Sequence, residues 1–380
     1  MLAYPRMNRV HVAIDLRILD RAGMERSGIG RHALESARAL RRVRPDWQLT
    51  LVTNRSDLFE ATPATTLGRT RWPTGSSLGR VSWLEAAPLG RVASAADILL
   101  APSFFLHRAW SGPSIVMIHD LVFAEKPALY RGRANSLYAT RATEQAARRA
   151  NLVLCATSSL RARIVDELGV PVENVRVIPW GGVVDVFRRG RGRPAERNDE
   201  PFWLFAGRWE TRKGLDVLAA ARAEVARRGG PDRLVLVGEP GRGVEGTLAK
   251  LRADPAVTIE SGASDARLAE LYREALALLY PSRIEGFGLP VAEAMAAGCP
   301  VIASELPELR EWAADVPQYV PAGDAHRLAE AMLALAADPD RRGAMAEQGV
   351  AAAAGLDWDR VGEGVAQAVE AVLDAPASSA

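Results

Sequence analysis

The sequence predicts an α/β protein built from two doubly wound parallel-sheet domains. Short apolar strands alternate with helix-length segments in two successive blocks. The alternation breaks once, at Arg188–Glu200, where apolar periodicity gives way to Arg, Gly, Pro and acidic residues. The chain has 380 residues, more than twice the ~150 of a typical domain.

Arg9–Ile14 alternates like a buried strand, and a long loop runs from Asp15 to Ser27. Gly28-Ile29-Gly30 precedes a helical stretch, Arg31–Arg42, that stops before Pro45. Gln48–Thr53 reads as a strand. Residues 60–95, rich in Gly, Pro, Ser and Thr, read as loops with short elements. Strands follow at Ile98–Ala101, Ser114–Ile118, Leu152–Ala156 and Val175–Ile178, with helices at Ala134–Ala150 and Ser159–Leu168. After the break the strands are Phe202–Ala206, Leu234–Val237, Val257–Ile259, Ala277–Tyr280 and Pro300–Ala303. The helices between them are Gly214–Arg228, Ala266–Leu276 and Pro290–Ala297. A final helix, Asp359–Leu373, carries Val361, Val365, Val369, Val372 and Leu373 on one stripe. The expected organisation is a domain over 1–185, a linker over 186–200, a domain over 201–357, and a helix and tail over 358–380. A return of that last helix to the N-terminal domain is one course open to it.

Composition excludes several classes. Hydrophobic residues make up 48% and charged residues 25%, too apolar for a disordered chain. A net charge of +2 gives no whole-chain case for nucleic acid. Two cysteines, Cys155 and Cys299, make neither a disulfide framework nor a zinc cluster. No apolar run reaches the ~18 residues of a membrane span, and Met1–Arg9 leads into a strand without a signal-peptide core. A cytoplasmic protein is expected. Lysine occurs only at Lys126, Lys213 and Lys250 among 48 basic residues, so a lysine inside a motif is informative.

The most informative segment is Glu285-Gly-Phe-Gly-Leu-Pro-Val-Ala-Glu293. A strand ends at Tyr280-Pro281, a loop passes Gly286 and Gly288, and Pro290 and Gly298 stand where proline starts and glycine ends a helix. The amides at such a helix start can cradle an anion. Glu285 and Glu293 flank the cradle. A glutamate pair alone is also what any solvated loop carries.

The segment resembles the signature of the family-four retaining glycosyltransferases: Pro281-Ser282, Glu285 to Met295, Gly298, Pro300 and Val301-Ile-Ala-Ser304 all fit its pattern. The resemblance implies the GT-B fold, two Rossmann-like domains facing across a cleft. It implies that Glu285 bonds hydroxyls of a donor sugar and Glu293 the nucleotide ribose. It also implies that the backbone of Phe287, Gly288 and Leu289 holds the sugar and diphosphate.

Gly207-Arg208-Trp-Glu-Thr-Arg-Lys213-Gly214 follows a strand and precedes a helix, so its cations lie at the sheet edge where ligands bind. In isolation they equally suit an ordinary surface. Arg208 and Lys213 resemble the family's diphosphate-binding pair, which neutralises charge on the leaving group. Met117-Ile-His119-Asp120-Leu121 closes another strand; His119 resembles the family histidine near the anomeric centre, and Asp120 orients the loop or meets the acceptor. Gly28, Gly30 and Ala33 fit G-x-G-x-x-A, but 13 residues separate them from the strand, and no acidic residue ends the second strand, which rejects nicotinamide binding. The resemblance places this glycine loop near the diphosphate; a plain helix-start turn is the other reading. Ile178-Pro-Trp-Gly-Gly-Val-Val-Asp185 resembles a domain-junction segment, with Trp180 in place of the usual asparagine and Gly182 inserted, and receives no ligand role. Val257–Ser264 is the expected base pocket, with Gly262 admitting the base to the backbone.

The expected activity is retaining transfer of a hexose from a nucleotide-diphosphate sugar to a saccharide or lipid-linked acceptor, without metal or other cofactor. The His119-Asp120-Leu121 context resembles mannosyltransferase-like members, which puts GDP-mannose first and UDP-glucose next. A sugar-nucleotide epimerase, which consumes donor without acceptor, a pyridoxal-phosphate phosphorylase, and a non-catalytic nucleotide-sugar or glycan binder are the competing readings. Acceptor choice is expected in 55–110, where Trp72, Trp83 and Trp110 either stack on a sugar or pack. Residues 1–185 carry +9 and 201–380 carry −9, which suggests an anionic acceptor or peripheral docking on the inner membrane face.

Overall fold

The computed structural model describes residues 9–20, 23–59, 95–125, 133–188, 200–241 and 243–375, with the backbone of 65–68. The N-terminal sheet has seven parallel strands: β1 (His11–Asp15), β2 (Gln48–Val52), β3 (Thr65–Gly68), β4 (Ile98–Ala101), β5 (Ser114–Met117), β6 (Leu152–Cys155) and β7 (Val175–Val177). Their order is β3-β2-β1-β4-β5-β6-β7. The C-terminal sheet has six: β8 (Trp203–Ala206), β9 (Leu234–Val237), β10 (Val257–Glu260), β11 (Leu278–Tyr280), β12 (Val301–Ser304) and β13 (Gln318–Val320), in the order β10-β9-β8-β11-β12-β13. Both are doubly wound, reversing between β1 and β4 and between β8 and β11. Ligands in such sheets sit beyond the carboxyl ends of strands near that reversal. Strands such as β4, β6, β8 and β9 are buried throughout, because helices cover both faces.

The helices follow from capping and apolar stripes. Helix α1 (Gly28–Val43) starts at Ser27, whose Oγ accepts from the Gly30 amide at 3.1 Å, and buries Leu34, Ala37 and Leu40. It begins at Gly28, earlier than the apolar pattern predicts, because the serine cap precedes both glycines. Helices α2 (Arg133–Arg149) and α3 (Ser158–Leu168) follow in the N-terminal half, beside one-turn helices at Val122–Glu125 and Asp185–Arg188. The C-terminal half carries α4 (Leu215–Arg227), α5 (Glu245–Arg252), α6 (Asp265–Glu274), α7 (Leu289–Ala296), α8 (Pro307–Ala313), α9 (Ala325–Ala337) and α10 (Pro339–Ala353). The sequence pattern predicts no element between 305 and 357, where the structure has one strand and three helices. This stretch is alanine-rich, and alanine blunts the contrast between buried and exposed helix faces.

The last helix, α11 (Trp358–Asp374), lies along α1. Gly362 makes this approach possible: a Cβ there would stand 2.8 Å from the Ala39 carbonyl carbon. Arg42 pairs with Asp359 at 2.6 Å and Arg44 with Glu370 at 3.1 Å. One buried apolar cluster runs from β1 and α1 through Trp180, Val183 and Phe187 to Phe287, Met295 and Trp358, so the halves share a core at their junction. They also meet at α8, where the Glu311 carboxylate accepts the Ser158 and Ser159 amides at 2.7 and 3.2 Å and so caps α3. Among the described residues no helix is long and apolar enough to cross a membrane.

Candidate functional site

The loops after β8 and β11 are locked together. Gly214 has φ +71°, and a Cβ there would lie 2.1 Å from the Pro281 carbonyl oxygen, so only glycine allows this packing. Arg283 donates to the Thr211 carbonyl at 2.8 Å and pairs with Asp216 at 2.5 Å. The result brings Lys213 Nζ to 2.5 Å from Glu285 Oε1 and 3.1 Å from the Tyr280 hydroxyl. All three side chains are buried. Burial works against both charges. Lys213 and Arg212 nevertheless hold the Glu285 carboxyl below its usual range. Lys213 lies below its ordinary value, because burial and the neighbouring Arg212 outweigh Glu285.

Arg212 is a member of this group that sequence reasoning misses. Its Nη1 lies 3.5 Å from Glu285 Oε2, and its Nε 3.1 Å from Glu210 Oε2. Burial disfavours its charge, but Glu285, Asp120 and Glu210 raise its pKa above the ordinary value. Arg208 is more exposed and pairs with Glu210 at 2.9 Å, so Glu210 links it to Arg212. The loop therefore presents three cations toward the carboxyl end of the sheet.

Glu293 occupies a separate part of the site. It is buried on α7, and the Tyr272 hydroxyl donates to its Oε2 at 3.4 Å. Arg31, on α1 of the other domain, approaches Oε1 at 3.7 Å while pairing with both Asp265 oxygens at 2.9 and 2.5 Å. Burial raises Glu293 to about 7, with Asp265 adding to the rise and Arg31 opposing it. A cavity of about 370 Å³ opens beside this group, walled by Arg26, Leu34, Glu35 and Arg38 on one side and by Gly262–Asp265 on the other. Arg26 Nη1 donates to the Gly262 carbonyl at 2.9 Å.

His119 and Asp120 follow β5. The His119 Nε2–H donates to the Pro102 carbonyl at 3.0 Å, which leaves Nδ1 as the acceptor nitrogen. The Trp180 ring lies 4.1 Å from the His119 ring, and His32 of α1 lies 4.4 Å from Trp180 and 5.0 Å from His119. Burial pushes His119 down to about 4, against the Pro102 carbonyl and Asp120, which favour the charged form. An NMR titration is expected to show His119 neutral from pH 8 to pH 5; a midpoint near 6.5 would refute this. Asp120 Oδ1 accepts the Val122 amide at 3.3 Å and also acts electrostatically on Arg212 across the junction.

The remaining residues divide. Gly288 has φ +89° at the start of α7; Pro290 carries no N–H and the Val291 amide donates back to the Gly288 carbonyl at 2.9 Å, so of the first turn it is the Leu289 amide that is left without a carbonyl partner within the helix. The Phe287 ring stacks on Trp312 at 4.7 Å, and its carbonyl accepts the Trp312 Nε1–H at 2.8 Å. Gly30 serves packing: a Cβ there would sit 1.8 Å from the Met24 carbonyl oxygen, whereas one at Gly28 meets nothing within 4 Å. Gly181 and Gly182 admit Phe287 and Trp358, which accounts for the paired glycines of the junction. Trp110 is buried and donates to the Pro113 carbonyl at 2.9 Å; it packs. Trp72, Trp83 and Lys126 lie outside the described residues.

Comparison with known proteins gives the family. The family model described as Glycosyltransferase Family 4 matches residues 26–186, and that described as Glycosyl transferases group 1 matches residues 200–338. The D-inositol 3-phosphate glycosyltransferase of Nocardia farcinica is 30% identical over 282 residues, covering 70% of this chain and 62% of that one. The Frankia alni protein of the same name is 31% identical over 277 residues, covering 68% of each. The aligned part thus spans less than two thirds of the Nocardia protein. Sucrose-phosphate synthase from Thermosynechococcus elongatus superposes with a TM-score of 0.76 at 22% identity, covering 97% of this chain and all of that one.

Proposed function

The chain belongs to the family-four, group 1 glycosyltransferases with the GT-B fold, and on that premise we propose that it moves a hexose from a nucleotide-diphosphate sugar to an acceptor hydroxyl with retention. The observation that carries the proposal is the buried Lys213–Glu285 pair, with Arg212 beside it, facing His119 and Asp120 across the domain junction. Glu285 accepts hydroxyls of the donor sugar. Lys213, Arg212 and Arg208, with the Leu289 amide at the start of α7, take the charge that grows on the departing diphosphate. The acceptor hydroxyl attacks from the face the diphosphate leaves, and its proton passes to a phosphate oxygen. No step requires a protein nucleophile or a metal. His119, neutral at pH 7, supplies a hydrogen-bonding nitrogen near the anomeric carbon without adding a cation.

GDP-mannose is the first donor to test, then UDP-glucose. For the acceptor, the +9 charge of residues 1–185 favours an anionic molecule such as a lipid-linked phosphate. The relatives named for D-inositol 3-phosphate act on a phosphorylated polyol, the same charge class. A panel of nucleotide sugars scored for nucleoside-diphosphate release, with and without acceptor, tests the reading. Release that depends on acceptor supports it. Donor turnover without acceptor refutes it, and an inverted linkage in product NMR refutes retention. Docking on anionic lipid predicts salt-sensitive sedimentation with phosphatidylserine vesicles.

A further inference from the structure

We propose that Arg31, carried by the N-terminal domain, is a positioning residue for the nucleoside end of the donor: it favours the carboxylate form of Glu293, the residue assigned to the ribose diol, so the acceptor domain helps set nucleotide affinity. This rests on the donor-site reading above. Arg31 stands in the first turn of α1, and its side chain is only 12% exposed. Its two terminal nitrogens pair with Asp265 while Nε faces Glu293, so one guanidinium serves two carboxylates. The cavity of about 370 Å³ opens directly beside Arg31 and Asp265, and residues of both domains wall it. Arg26 ties the same two segments together one turn earlier.

The chemistry gives a sign. A carboxylate accepts from both ribose hydroxyls, whereas a neutral carboxyl must spend one oxygen as a donor. The groups acting on Glu293 are Arg31 from α1, and Asp265 and Tyr272 from α6. Burial alone favours the neutral form, and with Arg31 present Glu293 stands at about 7. Affinity for a nucleoside diphosphate therefore weakens as pH falls through about 7. Removing Arg31 moves that fall to higher pH. Removing the Asp265 charge moves it to lower pH, because Asp265 both repels Glu293 and competes for Arg31.

Calorimetric titration of GDP and UDP from pH 6 to pH 9 tests this with the full chain and with Arg31→Met, Arg31→Lys and Asp265→Asn. Thermal melts check folding. In the wild type, Kd should rise severalfold from pH 8 to pH 6. Arg31→Met should shift the curve upward in pH and bind about tenfold more weakly at pH 7.5. Arg31→Lys, which keeps the charge, should restore most of the midpoint, and Asp265→Asn should shift it the opposite way. Curves that weaken in parallel, with the same midpoint in every variant, overturn the proposal while leaving the donor site standing. A folded wild type that binds neither nucleotide overturns the donor-site reading itself and this proposal with it.

Discussion

Glu285→Gln is expected to lower kcat by about 10²–10³-fold, and Lys213→Ala by a similar factor, in an assay of sugar transfer. Both side chains lie where charge changes most during the proposed reaction. Glu285 is held ionised by Lys213 and Arg212, so it accepts sugar hydroxyls without first losing a proton. Lys213 is already dehydrated, so its field acts on the leaving diphosphate with little screening. The same burial complicates the variants. Removing one member of a buried pair costs about 3–5 kcal/mol in general, because the partner is left uncompensated. Glu285→Gln strands two cations, whereas Lys213→Ala leaves Glu285 with Arg212 at 3.5 Å. Lys213→Ala should therefore melt higher than Glu285→Gln, and both assays belong well below the melting temperature. Arg212→Met should also lower kcat, by more than Arg208→Met, since Arg212 lies beside Glu285 whereas Arg208 pairs with Glu210. Wild-type transfer in folded Glu285→Gln and Lys213→Ala would remove the site assignment.

The parts of this site that can be read in the sequence are those fixed by local chain geometry. A strand end, a glycine and a helix start are neighbours in sequence, so the Glu285 and Lys213 loops are legible from their own residues. Their pairing across 72 residues is not. Arg212 escapes notice because 45 of the 48 basic residues are arginine and nothing local separates a buried one from a surface one. Its signal is its place beside Lys213, on a turn that Gly214 forces against Pro281. Arg31 is subtler still: its partners lie 234 and 262 residues away, on the other domain. His32 reads as one more residue of an amphipathic helix; only the tertiary packing of Trp180 places its ring beside His119. The fold is more legible, since buried parallel strands read as continuous apolar runs. It fades at β3, where Thr65–Gly68 offers little apolar contrast, and in the alanine-rich helices after 305.

Gly286→Ala is expected to cut kcat about 10²-fold or more while leaving each domain folded. Gly286 has no positive φ, so its own backbone accepts alanine. The obstacle is across the junction: a Cβ would lie 1.6 Å from the His119 carbonyl oxygen and 2.7 Å from its carbon. Neither neighbour is a flexible side-chain tip that could turn away. The methyl must push the loop bearing His119 and Asp120 off the loop bearing Glu285. Displacement by ~1 Å is enough to cost about 10²-fold in rate when reacting groups must be aligned. Nucleotide affinity should suffer less than turnover, because Lys213, Glu285 and Glu293 all belong to one domain, while Arg31 is carried by the other. Gly246→Ala is the matched control: its Cβ meets nothing within 4 Å, and it sits in α5, where alanine favours helix by up to about 1 kcal/mol. That variant should transfer sugar normally and melt no lower than the wild type. Normal turnover in Gly286→Ala as well would mean that the contact between His119 and the Glu285 loop is not part of the reacting arrangement.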